Sequence, residues 1–153
     1  MNKPHHHQTF ASGAMSGHLL SRPDGVGVLS VYGPITGDAL GWLRTQVMTR
    51  TAKPLRAVCL RLDRAAVAFG RPCLDALSNE QALSISAAIV VAPALLPMLQ
   101  TYAWQMAERG YTRMVCTSFS EALSWSAAQS RLAQAQAEWR ALQLVERGLL
   151  KAA

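Results

Sequence analysis

The chain has 153 residues, of which 50% are hydrophobic and 16% are charged, and its 15 basic and 9 acidic residues give a formal net charge of +6. This length and hydrophobic content suffice to bury the core of one domain, and they exclude general disorder. The arginines are scattered rather than clustered. The basic excess therefore fits a phosphate-bearing partner and a solubilising basic surface equally well.

Cysteine usage and the lengths of the apolar runs predict a cytoplasmic protein. The three cysteines, Cys59, Cys73 and Cys116, are an odd number without a CxxC spacing, which indicates a reducing compartment rather than a disulfide framework. The longest apolar stretch, residues 85–99, is interrupted by two prolines and is too short to span a membrane. We expect no membrane association.

The N-terminal segment, residues 1–17, is polar, rich in small residues and without periodicity, which predicts a flexible tail. Its three adjacent histidines, residues 5–7, suggest metal binding with His18 as a distant fourth ligand. Adjacent histidines on a flexible arm bind metal only weakly, because ligands need a fixed geometry. We therefore expect neither a metal nor a cofactor.

Two strands, a hairpin partner for the first of them, and two helices are predicted in the first half of the chain. Residues 26–32 form a strand after a Pro-Asp-Gly turn, and residues 18–21 can pair with it as a hairpin. Thr36 can cap the following helix. The next strand, residues 56–62, ends at Asp63, and Pro72 suits the first position of a short helix that ends near residue 81.

Residues 86–125 have the pattern of a βαβα unit. Residues 87–92 are almost wholly apolar, as in a strand buried on both faces, and Gly110 follows an amphipathic helix at the usual place of a left-handed cap. The apolar stripe of that helix consists of Leu95, Leu99, Tyr102 and Met106. A second strand, residues 111–116, should lie parallel to the first, with a right-handed crossover.

A long helix is predicted from Ser118, which has the capping-box spacing to Glu121, and it meets no Pro or Gly before Gly148. Hydrophobic and small residues recur in it every seven positions: Trp125, Leu132 and Trp139 in one series, and Ala128, Ala135, Leu142 and Leu149 in the other. Either this extension folds back on its own domain, or it forms a dimer seam through Leu132, Ala135, Trp139 and Leu142.

Three local phrases resemble the STAS-like family of anti-sigma-factor antagonists. Residues 26–33 (VGVLSVYG) resemble its first core strand before a helix, and residues 57–63 (AVCLRLD) resemble its strand that ends in Asp. Residues 87–90 together with 110–125 resemble the end of bacterial STAS-like domains. The similarity covers roughly residues 19–125 and rests mainly on hydrophobic patterns.

The resemblance implies an α/β fold with a mixed, mainly parallel sheet of four to five strands, about four helices and a long C-terminal helix. The domain would comprise residues 18–127, with a tail at 1–17 and a helical extension at 128–153. Its function would be that of a non-enzymatic protein-interaction module. By analogy the partner would contact the loop and helix that carry Asp63, Arg64, Arg71, Cys73 and Asp75.

One segment departs from the family pattern. Where the phosphorylated antagonists have Asp-Ser-Ser-Gly-Leu, residues 70–74 read Gly-Arg-Pro-Cys-Leu, so the phosphorylation switch does not carry over. Cys73 lies near a predicted helix N-terminus and Arg71, which can lower a thiol pKa, but a packing role is the simpler interpretation. Asp63, Asp75 and Glu80 are more simply explained as ion-pair partners of nearby arginines.

The residue patterns do not favour an enzyme. Every histidine lies at or before position 18, and the known nucleophile, zinc and phosphate-loop motifs are absent. Nucleic-acid binding is disfavoured because Phe69 is the single aromatic residue in the arginine-rich segment 56–71. The alternative to a protein-interaction module is a small-ligand or anion binder that uses the helix N-termini near Pro72 and Ser118.

Overall fold

The structure is a computed structural model that describes residues 6–12, 15–35, 55–67 and 85–148. Within these ranges the strands are β1 (His6–Ser12), β2 (Met15–Ser21), β3 (Val26–Ile35), β4 (Ala57–Arg61), β5 (Ala65–Val67), β6 (Ser86–Val90) and β7 (Arg113–Cys116). The helices are α1 (Leu96–Glu108), which follows a 3₁₀ turn at Pro93–Leu95, and α2 (Phe119–Glu146). The helices predicted after Thr36 and Pro72 lie outside the described residues.

The strands form one mixed sheet, as predicted, in the order β1-β2-β3-β4-β6-β7. The pairs β1–β2 and β2–β3 are antiparallel, whereas β3–β4, β4–β6 and β6–β7 are parallel. Strand β5 pairs with the last residues of β3. The predicted count of four to five strands is therefore too low, because the sequence pattern predicts a tail and a loop where β1 and β5 lie.

The prediction of a flexible N-terminal tail is wrong for residues 6–12 and 15–17, because these residues belong to the sheet. Strands β1 and β2 form a hairpin in full register from His6 opposite Ser21 to Ser12 opposite Met15. The side chains of Phe10 and Met15 are 5% and 2% exposed and join the core. Phe10 is the single buried hydrophobic residue described in β1, and Met15 and Leu19 are those of β2, too few to give a periodic signal in the sequence.

The central parallel strands β4 and β6 bury side chains on both faces, which explains their nearly continuous apolar sequences. On one face, Leu60, Ile89 and Val91 pack with Leu99, Tyr102 and Met106 of α1. On the other face, Cys59, Ala88 and Val90 pack with Ala122 of α2. The sheet thus separates two hydrophobic clusters, and the side chains on the α2 side are mostly small, which allows that helix to approach closely.

Both helices have the ends that the sequence predicts. Gly110 after α1 and Gly148 after α2 have φ angles of +85° and +70°. The Ser118 hydroxyl accepts a hydrogen bond from the backbone N–H of Glu121 at 3.3 Å, the first half of a capping box. The stripe predicted for α1 is buried at Leu99, Tyr102 and Met106.

Helix α2 crosses the predicted boundary between residues 127 and 128 without interruption. It packs against β3, β4, β6 and β7 through its first half. Ser130 and Gln134 then contact Asp24 and Arg56, which precede β3 and β4. The helix therefore runs from the carboxyl edge of the parallel strands to their amino edge, and its remaining residues extend past the sheet.

Candidate functional site

The most prominent surface feature is an exposed apolar stripe on the distal half of α2. Leu132, Trp139 and Leu142 are 51%, 62% and 59% exposed, and Ala128 and Ala135 between them are also exposed. The only other large hydrophobic residue with comparable exposure among the described residues is Trp104 on α1, at 75%. A contiguous stripe of this kind marks an interaction surface more often than a scattered apolar side chain does.

The first half of α2 is anchored to the rest of the domain, so the exposed stripe lies on a helix with a fixed position. Ser130 is fully buried, and its hydroxyl donates a hydrogen bond to the backbone carbonyl of Asp24. The Arg56 guanidinium donates to the side-chain oxygen of Gln134 at 3.0 Å. Because the helix continues straight past the sheet, none of the described segments of the domain covers Leu132, Trp139 and Leu142.

The second candidate surface is a group of three side chains, Arg61, Asp63 and Phe119. It lies at the carboxyl edge of the parallel strands, where α/β proteins commonly bind ligands. The Arg61 guanidinium donates two hydrogen bonds to the Asp63 carboxylate, at 3.0 and 3.3 Å. The same guanidinium lies over the ring of Phe119, 4.2 Å from the centroid. Arg61 thus joins the end of β4 to the first turn of α2, and its charge is balanced by Asp63.

Arg61 was not among the predicted site residues, although strand alternation could have identified it. Ala57 and Cys59 face α2, so the next residue in the same alternation, Arg61, must face the start of that helix. Of the predicted partner-binding residues, Asp63 forms this ion pair and Arg64 is exposed beside it. Arg71, Cys73 and Asp75 lie outside the described residues.

The N-terminus of α2 is poorly suited to an anion. The Ser118 side chain already accepts the Glu121 N–H of the first turn, and the Glu121 carboxylate adds negative charge there. Arg61, whose guanidinium lies over Phe119 in this turn, is bound to Asp63. These contacts disfavour the anion-binding alternative at Ser118, and the second predicted anion position, near Pro72, lies outside the described residues.

Two thiols lie beneath this edge, and both are poor nucleophiles. Burial raises the pKa of Cys59 to about 12 and also raises the pKa of Cys116. The Cys116 thiol donates to the backbone carbonyl of Ser118 at 3.3 Å. Both cysteines are free, as predicted, and at neutral pH they are protonated members of the core rather than reactive groups.

His7, the last residue of the histidine run, directly contacts His18, which the sequence suggests as a fourth ligand distant along the chain. His7 Nε2 lies 3.2 Å from His18 Nδ1 across the β1–β2 hairpin, and His18 Nε2 lies 3.3 Å from the Tyr32 hydroxyl. Burial, and then the charge of His7, lower the pKa of His18. In the part of the chain described, no group of three or more His, Cys, Asp or Glu residues is arranged to hold a metal.

Within the described ranges, neither helix combines the length and hydrophobicity needed to cross a membrane. No protein-family model matches the chain, and no curated protein matches it. The α2 stripe and the Arg61–Asp63 edge are the two candidate surfaces among the described residues.

Proposed function

We propose that this chain is a non-enzymatic protein-interaction module of STAS-like type, located in the cytoplasm, that self-associates through α2. The observation that carries the proposal is the row formed by Leu132, Trp139 and Leu142, exposed on a helix that is anchored at Ser130 and Gln134. Leaving these side chains in water forfeits about 1.5–3 kcal/mol for each one that could be buried. A partner that covers them recovers this free energy.

Three further features support the proposal. The mixed sheet, with parallel strands after an antiparallel hairpin, agrees with the α/β class that the resemblance implies. Asp63 is neutralised by Arg61, and burial keeps the Cys59 and Cys116 thiols protonated, so these groups serve packing rather than chemistry. The free thiols fit a reducing compartment.

The second contact face in this proposal is the loop that begins at Asp63. Arg64 is exposed next to the Arg61–Asp63 pair, and the family analogy extends this face to Arg71, Cys73 and Asp75. Because residues 70–74 lack the serines of the phosphorylated antagonists, binding here would be constitutive. A heterologous protein partner would use this face, whereas a second copy of the chain would use α2.

Light scattering coupled to size exclusion tests the self-association. We expect the full chain to elute at twice the 16.6 kDa of one chain at micromolar concentration. Trp139→Ala should raise the dimer dissociation constant roughly tenfold or more, because a buried tryptophan is a typical interface anchor. Trp139 is exposed in the single chain, so the substitution should leave the monomer folded.

Trp104→Ala is the matched control, since Trp104 is an exposed tryptophan on a helix on the opposite side of the sheet. It removes the same side chain without touching α2, and the dissociation constant should stay unchanged. A chain that is monomeric at every accessible concentration, or a dimer that responds to Trp104→Ala and not to Trp139→Ala, contradicts the proposal.

A further inference from the structure

The pattern of side chains along α2 also determines the direction in which a second copy would bind, an inference that rests on the self-association proposed above. We propose that two α2 helices pair antiparallel, with Leu132 of each copy opposite Ala135 of the other. Three features of α2 support this orientation: the side of the helix that is free, the alternation of large and small residues, and the charges that flank the seam.

The seam lies on the side of α2 that faces away from its own sheet. The fully buried residues Ser126 and Ser130 mark the inner side of the helix. At about 100° per residue, Ala128 and Ala135 lie roughly opposite to them around the helix axis. A second helix can therefore lie along the outer side from Ala128 to Leu142, a length of about 21 Å, without displacing α2 from the sheet.

Large and small residues alternate along the seam in a way that is complementary only when the helices run in opposite directions. In antiparallel pairs, one heptad series faces the other series of the second helix. Leu132 of one copy then meets Ala135 of the second copy, and Trp139 meets Ala128. The partly buried Trp125 meets Leu142 at each end. The two central large side chains, Leu132 and Trp139, thus each fit against an alanine, as close packing requires.

A parallel pair would place equal residues at the same level, because each series then faces itself. Trp139 would meet Trp139, and Ala135 would meet Ala135, which leaves one layer overfilled and the next one empty. Voids and overfilled layers both cost free energy. The size pattern therefore disfavours the parallel arrangement.

The charges beside the seam also favour the antiparallel arrangement. Arg131 and Glu138 are exposed and precede Leu132 and Trp139 in equivalent positions. In the antiparallel register, Arg131 of each copy lies near Glu138 of the other, so two symmetric ion pairs flank the seam. In a parallel pair the corresponding neighbours are Gln136 and Gln143, which are uncharged. Charge complementarity therefore exists only in the antiparallel arrangement.

Reversing the charges of Arg131 and Glu138 tests the antiparallel orientation. The dissociation constant of each variant is measured by equilibrium sedimentation at low ionic strength. Arg131→Glu alone and Glu138→Arg alone should each weaken self-association roughly tenfold, because each turns two attractive contacts into repulsive ones. The double variant Arg131→Glu/Glu138→Arg should recover most of the wild-type affinity. Both sites are exposed, and an unchanged unfolding temperature of dilute monomer would verify that the fold is intact.

Mixing the two single variants gives the sharpest readout. A chain with Arg131→Glu carries two acidic groups and a chain with Glu138→Arg carries two basic groups, so the mixture should form heterodimers more readily than either homodimer. A dimer that is insensitive to all these changes overturns the antiparallel seam while leaving self-association through Trp139 intact. A monomeric wild-type chain overturns both, and the stripe would then be left for a helix of another protein.

Discussion

At the scale of single residues, Ser126 and Ser130 are a natural pair for comparison, because both are fully buried on the inner side of α2. The Ser130 hydroxyl donates to the Asp24 carbonyl, whereas the Ser126 hydroxyl has no hydrogen-bond partner among the described residues. A buried hydroxyl without a partner costs free energy, and a satisfied one stabilises the fold. Two serines one turn apart thus have opposite effects on stability.

We predict that Ser126→Ala raises the free energy of unfolding by about 1 kcal/mol and that Ser130→Ala lowers it by about 1 kcal/mol. The higher helix propensity of alanine contributes equally to both variants, so the difference between them isolates the hydrogen bond. Urea titration followed by circular dichroism measures both values. Equal shifts for the two substitutions would show that the contact with Asp24 adds no stability.

At the scale of elements, the turn before β3 shows how α2 and the sheet constrain each other. Gly25 has a φ of +83°, its N–H donates to the Arg22 carbonyl at 3.1 Å, and its own carbonyl accepts from Arg56 at 2.8 Å. A Cβ atom at this position would lie 2.8 Å from Ser130 Oγ. The turn therefore needs glycine both for its backbone conformation and for its contact with α2.

Gly110 needs glycine only for its backbone conformation, because its φ is +85° and a Cβ atom there would meet nothing within 4 Å. It therefore serves as the comparison for Gly25. Gly110→Ala should cost about 1–2 kcal/mol through the left-handed backbone alone. Gly25→Ala should cost at least about 1 kcal/mol more, since it also displaces Ser130. Thermal and urea unfolding of the two variants measure the difference. Equal losses would contradict close packing of the turn against α2.

Most elements in the described ranges could be predicted from local patterns. The alternation and apolar runs located β3, β4, β6 and β7 to within a few residues, and the four-residue recurrence together with Gly110 located α1. Ser118 and Gly148 marked the ends of α2. These signals are local, because they arise from backbone geometry and from which side chains an element must bury. Strands β1 and β5 were missed since their sequences are short or polar.

At the scale of the whole molecule, the first strands decide where the domain begins. Strand β1 is at the edge of the sheet, and Phe10 carries its contact with the core. Phe10→Ala should lower the free energy of unfolding by about 3 kcal/mol. Thr9→Ala, at an exposed neighbouring position, should change it by less than about 0.5 kcal/mol. Urea titration distinguishes the two, and equal, negligible effects would restore the interpretation of this segment as a tail.

The candidate site also combines features that local sequence patterns predict with features that they do not. The heptad recurrence of Leu132, Ala135, Trp139 and Leu142 is visible in the sequence, but it fits a helix that folds back as well as one that pairs with another chain. The contact between Arg61 and Phe119 joins residues 58 positions apart, and no local pattern predicts it. The burial of Ser126 and Ser130 shows which side of α2 faces the sheet and which side is exposed.

The sequence by itself determined the α/β class, the parallel core strands and a long C-terminal helix, because hydrophobic periodicity, caps and turn residues act within a few residues of chain. The tertiary structure alone decided that residues 6–12 pair with the sheet, that Arg61 is neutralised by Asp63, and that Leu132, Trp139 and Leu142 of α2 are exposed. These features depend on which distant segments lie next to each other. That is decided by the packing of the whole core, which no local pattern records.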